Sequence, residues 1–163
     1  MWAWTPLSGE GARRRGGRFN PIGSVALYLS CDPTTAVLEG SQGFNRRFPP
    51  LTIVAYAVDC DDVLDLTAAD QCEVLGITSA DLSCPWQALA GKGKPVPTWE
   101  IANRLRADGS AGILVQSFAV GASGSNVNLV LWQWGDELPH RVTVIDDEHR
   151  LPRDDSSWRL PSN

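Results

Sequence analysis

The chain has no excess of positive charge, no paired-cysteine motif, few histidines and no long apolar run, and each lack removes a class of function. Nineteen acidic residues against 14 basic ones give a net charge of −5. A nucleic-acid-binding domain would show a strongly basic face, so direct binding of DNA or RNA is not expected. The one concentrated basic patch, Arg13-Arg14-Arg15 with Arg18 close by, reads either as a solvated face or as a local anion site for a phosphate-bearing ligand. Cys31, Cys60, Cys72 and Cys84 form no C-x-x-C pair and have no histidine near them. They read as reduced thiols of a cytosolic protein, and no metal is expected. Asp59-Cys60-Asp61-Asp62 is a solvated turn by the same reasoning. No apolar run approaches the roughly 18 residues of a membrane span, and Met1-Trp2-Ala3-Trp4-Thr5-Pro6 lacks the basic start and apolar centre of a signal peptide. The expected location is the cytoplasm, away from membranes. Internal repeats and low-complexity segments are also missing.

What is present is ordinary in bulk and unusual in two details. The 163 residues amount to one domain, and 43% apolar with 20% charged content is that of a soluble globular protein. Seven tryptophans are many for this length and point to aromatic packing or an aromatic-lined pocket.

The second detail is the stretch from Gly16 to Glu39. Gly16, Gly17, Pro21 and Gly23 interrupt too often for regular structure, so Arg18 belongs to a loop. Val25 to Ser30 reads as a short strand. Asp32 followed by Pro33 predicts a helix start, since Asp can cap free N–H groups and Pro suits the first helical position. The helix then reaches about Gly40, with Glu39 one turn beyond Thr35 on the same face.

Further along, Gln42 to Pro50 is a connector stopped by its proline pair, and Leu51 to Val58, apolar on both faces, predicts a central strand. Val63 to Leu66 is a short strand, Thr67 with Asp70 starts a helix ending at Gly76, and Thr78 with Asp81 repeats that signal. Cys84 to Pro97 reads as irregular, with Trp86 packed and 91–95 an exposed loop lacking phosphate-loop spacing. Thr98 is expected to cap a helix to Asp108 that Gly109 stops. Strands follow over 111–117, delivering Ser117 at the end, and over 127–134 and 141–145, with a flexible turn at 121–126. The residues from Asp146 form a polar tail that Trp158 and Leu160 could dock, or through which they could bind a partner. Mixed rather than alternating elements favour an α+β fold in one domain, 1–145, with a partly antiparallel, curved sheet and the tail at 146–163.

The Gly-Gly-Arg-Phe-Asn-Pro-x-Gly run, the Tyr28-Leu29-Ser30 strand and the Thr-Ala-x-x-Glu helix resemble the RES domain, named for an arginine, a glutamate and a serine. Arg18, Glu39 and Ser117 stand at those positions. The resemblance implies an ADP-ribosyltransferase-like split sheet with flanking helices around an NAD cleft, and no metal. RES proteins are typically toxins of bacterial toxin–antitoxin pairs, which implies an antitoxin covering the cleft. Two features depart from the family: no arginine precedes Arg13, and Phe118-Ala119 follows the serine where a basic residue is common.

By that resemblance the chain would cleave NAD at the nicotinamide–ribose bond, with water or phosphate as acceptor. The alternative is mono-ADP-ribosylation of a protein such as a phosphoribosyl pyrophosphate synthetase, and a catalytically inert partner-binding module is a further one. Charge grows on the ribose as nicotinamide leaves, so a carboxylate, an aromatic face and a cation each help. Glu39 would face the ribose, Tyr28 the nicotinamide ring and Arg18 a phosphate or ribose oxygen. Ser117, Ser30 and Asn20 would contribute further NAD contacts, Ser117 by orienting the ligand. His140 and His149 are assigned no role.

Overall fold

A computed structural model describes residues 5–41 and 51–154. The connector up to Pro50 and the proposed docking by Trp158 and Leu160 lie outside the described residues, as do Met1 to Trp4.

Two β-sheets lie at the centre. Leu27–Ser30 (β1), Val63–Asp65 (β3), Gly112–Gln116 (β4) and Val127–Leu131 (β5) form a four-stranded sheet in the order β1-β5-β4-β3, while Ala55–Cys60 (β2) and His140–Ile145 (β6) form a separate antiparallel ribbon. Within the larger sheet β1/β5 and β5/β4 are antiparallel and β4/β3 parallel. The helices are Glu10–Arg15 (α1), Pro33–Gly40 (α2), Ala69–Val74 (α3), Ser79–Leu82 (α4), Trp86–Gly91 (α5) and Pro97–Ala107 (α6). The α+β architecture, with a mixed sheet and flanking helices, is the one expected.

Pleating divides the core in two, because residues paired across strands share a face. Ile113, Val115, Val130 and Trp132 pack with Ile101, Ala102 and Leu105 of α6. On the opposite face Leu27, Leu29, Leu129 and Leu131 meet Tyr56, Cys60 and Val142 of the ribbon. Apolar burial on both faces holds β4 and β5 rigidly, and β5 lies between β1 and β4 at the sheet's centre. Among the described residues, no helix is long and apolar enough to cross a membrane.

Several local readings are corrected. The run from Leu51 is no central strand: β2 begins at Ala55 and, among the described residues, pairs only with β6. An apolar run alone cannot distinguish a strand inside a sheet from a ribbon packed against one. Cys84 to Pro97 is not irregular throughout, since α5 follows Pro85. Six residues are too few to display helical periodicity. Thr98 does not cap α6; Pro97 occupies the first turn, the cap position falls on Val96, and Thr98 is buried. Thr67 likewise bonds the Asp65 carboxylate, leaving Ala68 before α3. The Thr78–Asp81 capping box is present in both directions.

Two arginines of the basic patch, Arg13 and Arg14, are tied up locally. Glu10 accepts from Arg13 Nε at 2.6 Å and from Arg14 Nε at 2.7 Å. These bonds, Arg13's first, hold the Glu10 carboxyl down at about 2 from the ordinary 4.5. A carboxyl with a depressed folded-state value contributes stability above its ordinary value, and that contribution drains away as pH falls from about 4.5 toward 2. A carboxyl NMR titration of Glu10 should therefore give a midpoint near 2; one near 4.5 would show that the clamp does not persist in solution.

Candidate active site

The arginine loop is held by what surrounds its backbone. Trp99 Nε1 donates to the Gly17 carbonyl at 2.8 Å and Trp132 Nε1 to the Phe19 carbonyl at 3.1 Å. Gly17 is required for close approach: a Cβ there would sit 2.4 Å from the Tyr28 hydroxyl and 2.7 Å from Asn20 Oδ1. Gly17→Ala is therefore expected to push the loop off Tyr28 and to destabilise the fold by about 1–3 kcal/mol. A thermal melt checks this, and an unchanged midpoint would show slack in the loop.

Arg18 is positioned by backbone and ring together. Its Nη1 donates to the carbonyls of Leu82 at 3.0 Å and Cys84 at 2.8 Å. The guanidinium lies 4.3 Å from the centre of the Phe118 ring, a cation–π geometry. Burial lowers its pKa, opposed by neighbours that include Glu39, and an arginine stays charged through such a shift. Phe118, the residue after Ser117, thus supports the arginine with its ring face.

Tyr28 turns its two ends to different tasks. Its hydroxyl accepts from the Phe19 N–H at 2.9 Å and donates to Asn20 Oδ1 at 2.8 Å. Burial pushes the phenol well above its usual range, against the Phe19 bond and the Arg18 charge. Yet the residue is 39% exposed, because the hydroxyl end is enclosed while the ring borders a cavity. The ring, not the hydroxyl, is what a ligand can meet.

Glu39 reaches the same cavity from α2. The Asp32 side chain caps the helix by accepting from Thr35 N–H at 2.9 Å, and Asn126 Nδ2 donates to Thr35 Oγ1 at 2.8 Å. Near the far end, Glu39 Oε1 accepts from Ser117 Oγ at 2.7 Å and from Asn128 Nδ2. Asn128 Oδ1 in turn accepts from Ser30 Oγ at 2.8 Å.

The cavity, about 540 Å³, is lined by Arg18, Tyr28, Ser30, Glu39, Trp86, Phe118 and Asn128, with residues 51–54 on another side. That volume suits a small-molecule site. Arg18, Tyr28, Ser30 and Glu39 are brought to it together. Two expected ligand contacts are corrected. Asn20 is fully buried and outside the lining; its Nδ2 faces the carbonyls of Ala12, Pro21 and Ser24 at 2.8–3.2 Å, so it braces the loop. Ser117 is also buried and outside the lining, its hydroxyl donating to Glu39 and accepting from Ala119 N–H at 3.2 Å. Its hydroxyl is engaged by the glutamate on one side and the Ala119 backbone on the other.

Asn128, Phe118 and Trp86 were not singled out as site residues. The available signal for Asn128 was a lone amide in the apolar strand Val-Asn-Leu-Val-Leu, sharing a face with Val130. The RES domain family model matches residues 1–154. No curated protein matches the chain.

Proposed function

Because the chain belongs to the RES domain family, which is associated with NAD-using enzymes and toxin–antitoxin pairs, we propose that it is a toxin that splits NAD at the nicotinamide–ribose bond. The observation that carries this reading is the placement of an oriented carboxylate, an aromatic ring and a supported arginine around one cavity.

In this reading the C1′–N bond breaks with its electron pair going to the nicotinamide nitrogen, which leaves neutral. Positive charge develops on the ribose, and the Glu39 carboxylate stabilises it across the cavity. The Tyr28 ring offers a flat apolar surface to the departing pyridine ring, and Trp86 adds a second aromatic wall. Arg18 binds a phosphate or ribose oxygen. Water captures C1′ and loses a proton, or a phosphate oxygen captures it directly. Bound in the cleft, a partner antitoxin would silence the reaction by covering the mouth.

Purified protein incubated with NAD, with and without phosphate, tests the reading. Release of free nicotinamide is expected, and its phosphate dependence names the acceptor. No release under either condition would overturn NAD cleavage to a small acceptor; a labelled protein band in extract supplied with labelled NAD would then move the acceptor to a protein side chain.

A further inference from the structure

We propose that Asn128, together with Ser117, sets the orientation of the Glu39 carboxylate, a positioning role whose kinetic consequence rests on the NAD-cleaving reading. A carboxylate only accepts hydrogen bonds, so Asn128 must present Nδ2 to Glu39 Oε1. Its Oδ1 then faces Ser30, whose hydroxyl must donate. One amide orientation therefore satisfies both neighbours and joins β1 to α2.

The backbone under Asn128 is well fixed. It pairs with Ser30 of β1 on one side and Val115 of β4 on the other. Asn126, two residues earlier, holds Thr35, four residues before Glu39 on α2. Four helical residues rise about 6 Å, and two extended residues span about 6.6 Å. The two asparagines thus match one helical turn and clamp α2 against the start of β5 at two points. Sliding α2 would break both contacts, so the height of Glu39 over the cavity is set by β5. Ser117 adds a second donor to the same oxygen from the end of β4.

Asn128→Leu keeps roughly the side-chain volume and removes the donor. It is expected to lower kcat for nicotinamide release by about 100-fold, as displacement of a catalytic group by about an ångström does, with KM within about threefold. Asn128→Asp distinguishes orientation from packing. At neutral pH it places a second carboxylate against Glu39, and adjacent carboxylates share a proton more readily than either holds one alone. As pH falls the protonated Asp can donate again, so activity should rise toward acid relative to the unmodified protein. Asn126→Ala, acting on Thr35 instead of the carboxylate, should lower the melting temperature with a smaller loss in kcat.

A folded Asn128→Leu protein with kcat within threefold of the unmodified one, or an Asn128→Asp pH profile parallel to it, would overturn the proposal. The contact can also be read without turnover, from the Asn128 side-chain amide resonance, which should move on Glu39→Ala; a stationary resonance overturns the positioning role. Absence of nicotinamide release by the unmodified protein would count against NAD cleavage alone, because the amide resonance still decides what holds Glu39.

Discussion

Glu39→Gln is expected to lower the rate of nicotinamide release by about 100- to 1000-fold, the loss typical when one oriented transition-state group is removed. Glutamine retains an acceptor oxygen for Ser117 Oγ and Asn128 Nδ2, the two donors that converge on Glu39 Oε1. What disappears is the negative charge that the proposed reaction sets opposite the ribose. Because a charge-assisted bond becomes a neutral one, the stability cost is about 1 kcal/mol, or about 2–4 °C in melting temperature for a chain of this size. On the proposed toxin reading, expression of the unmodified chain should arrest growth and expression of the substituted chain should not. Rate and melting temperature together decide the matter: a large rate loss with an intact melt assigns the effect to charge, whereas near-normal release by a folded variant would remove Glu39 from the chemistry.

The stretch from Gly16 to Glu39 was legible because its signals are local. Asp32-Pro33 announces α2, the glycines around Arg18 announce a loop, and Glu39 follows Thr35 by one turn, all within 24 residues of chain. The contacts that turn this stretch into a site are not local. Ser117 meets Glu39 across 78 positions, Asn128 meets it across 89, and Trp132 reaches Phe19 across 113. Such pairings leave no periodicity to read. They emerge only when β5 inserts between β1 and β4, which is why Ser117 could be placed at a strand end and named by resemblance while its bond to Glu39 stayed hidden. The same limit explains β2: its apolar character was visible, but β6, its partner among the described residues, lies at the other end of the domain. Asn20 shows a further kind of miss. An Asn beside the arginine in a glycine-rich loop suggests a ligand contact, and only burial reveals that its hydrogen bonds all turn inward.

That inward role makes Asn20→Ala the substitution with the largest expected effect on stability. It strips Nδ2 from the carbonyls of Ala12, Pro21 and Ser24 and leaves the Tyr28 hydroxyl without its acceptor. Pro21 keeps a bond from Ser24 N–H and Ala12 one from Gly16 N–H, so the cost falls mainly on the Ser24 carbonyl and the phenol. Each enclosed polar group left without a partner costs about 1–3 kcal/mol, which places the total near 3 kcal/mol and the fall in melting temperature at about 6–12 °C. Activity should fall as well, since Asn20 braces the loop that carries Arg18. Tyr28→Phe separates the two effects. It removes the hydroxyl and leaves Phe19 N–H and Asn20 Oδ1 unpaired, so the protein should again be destabilised, but the ring remains where a ligand can stack on it. Nicotinamide release by Tyr28→Phe, measured well below its melting temperature, should therefore stay within about tenfold of the unmodified protein, far from the loss of 100-fold or more that removal of an oriented transition-state group brings. A loss of that larger size in a folded Tyr28→Phe protein would show that the hydroxyl takes part in the chemistry, despite being enclosed by Phe19 and Asn20.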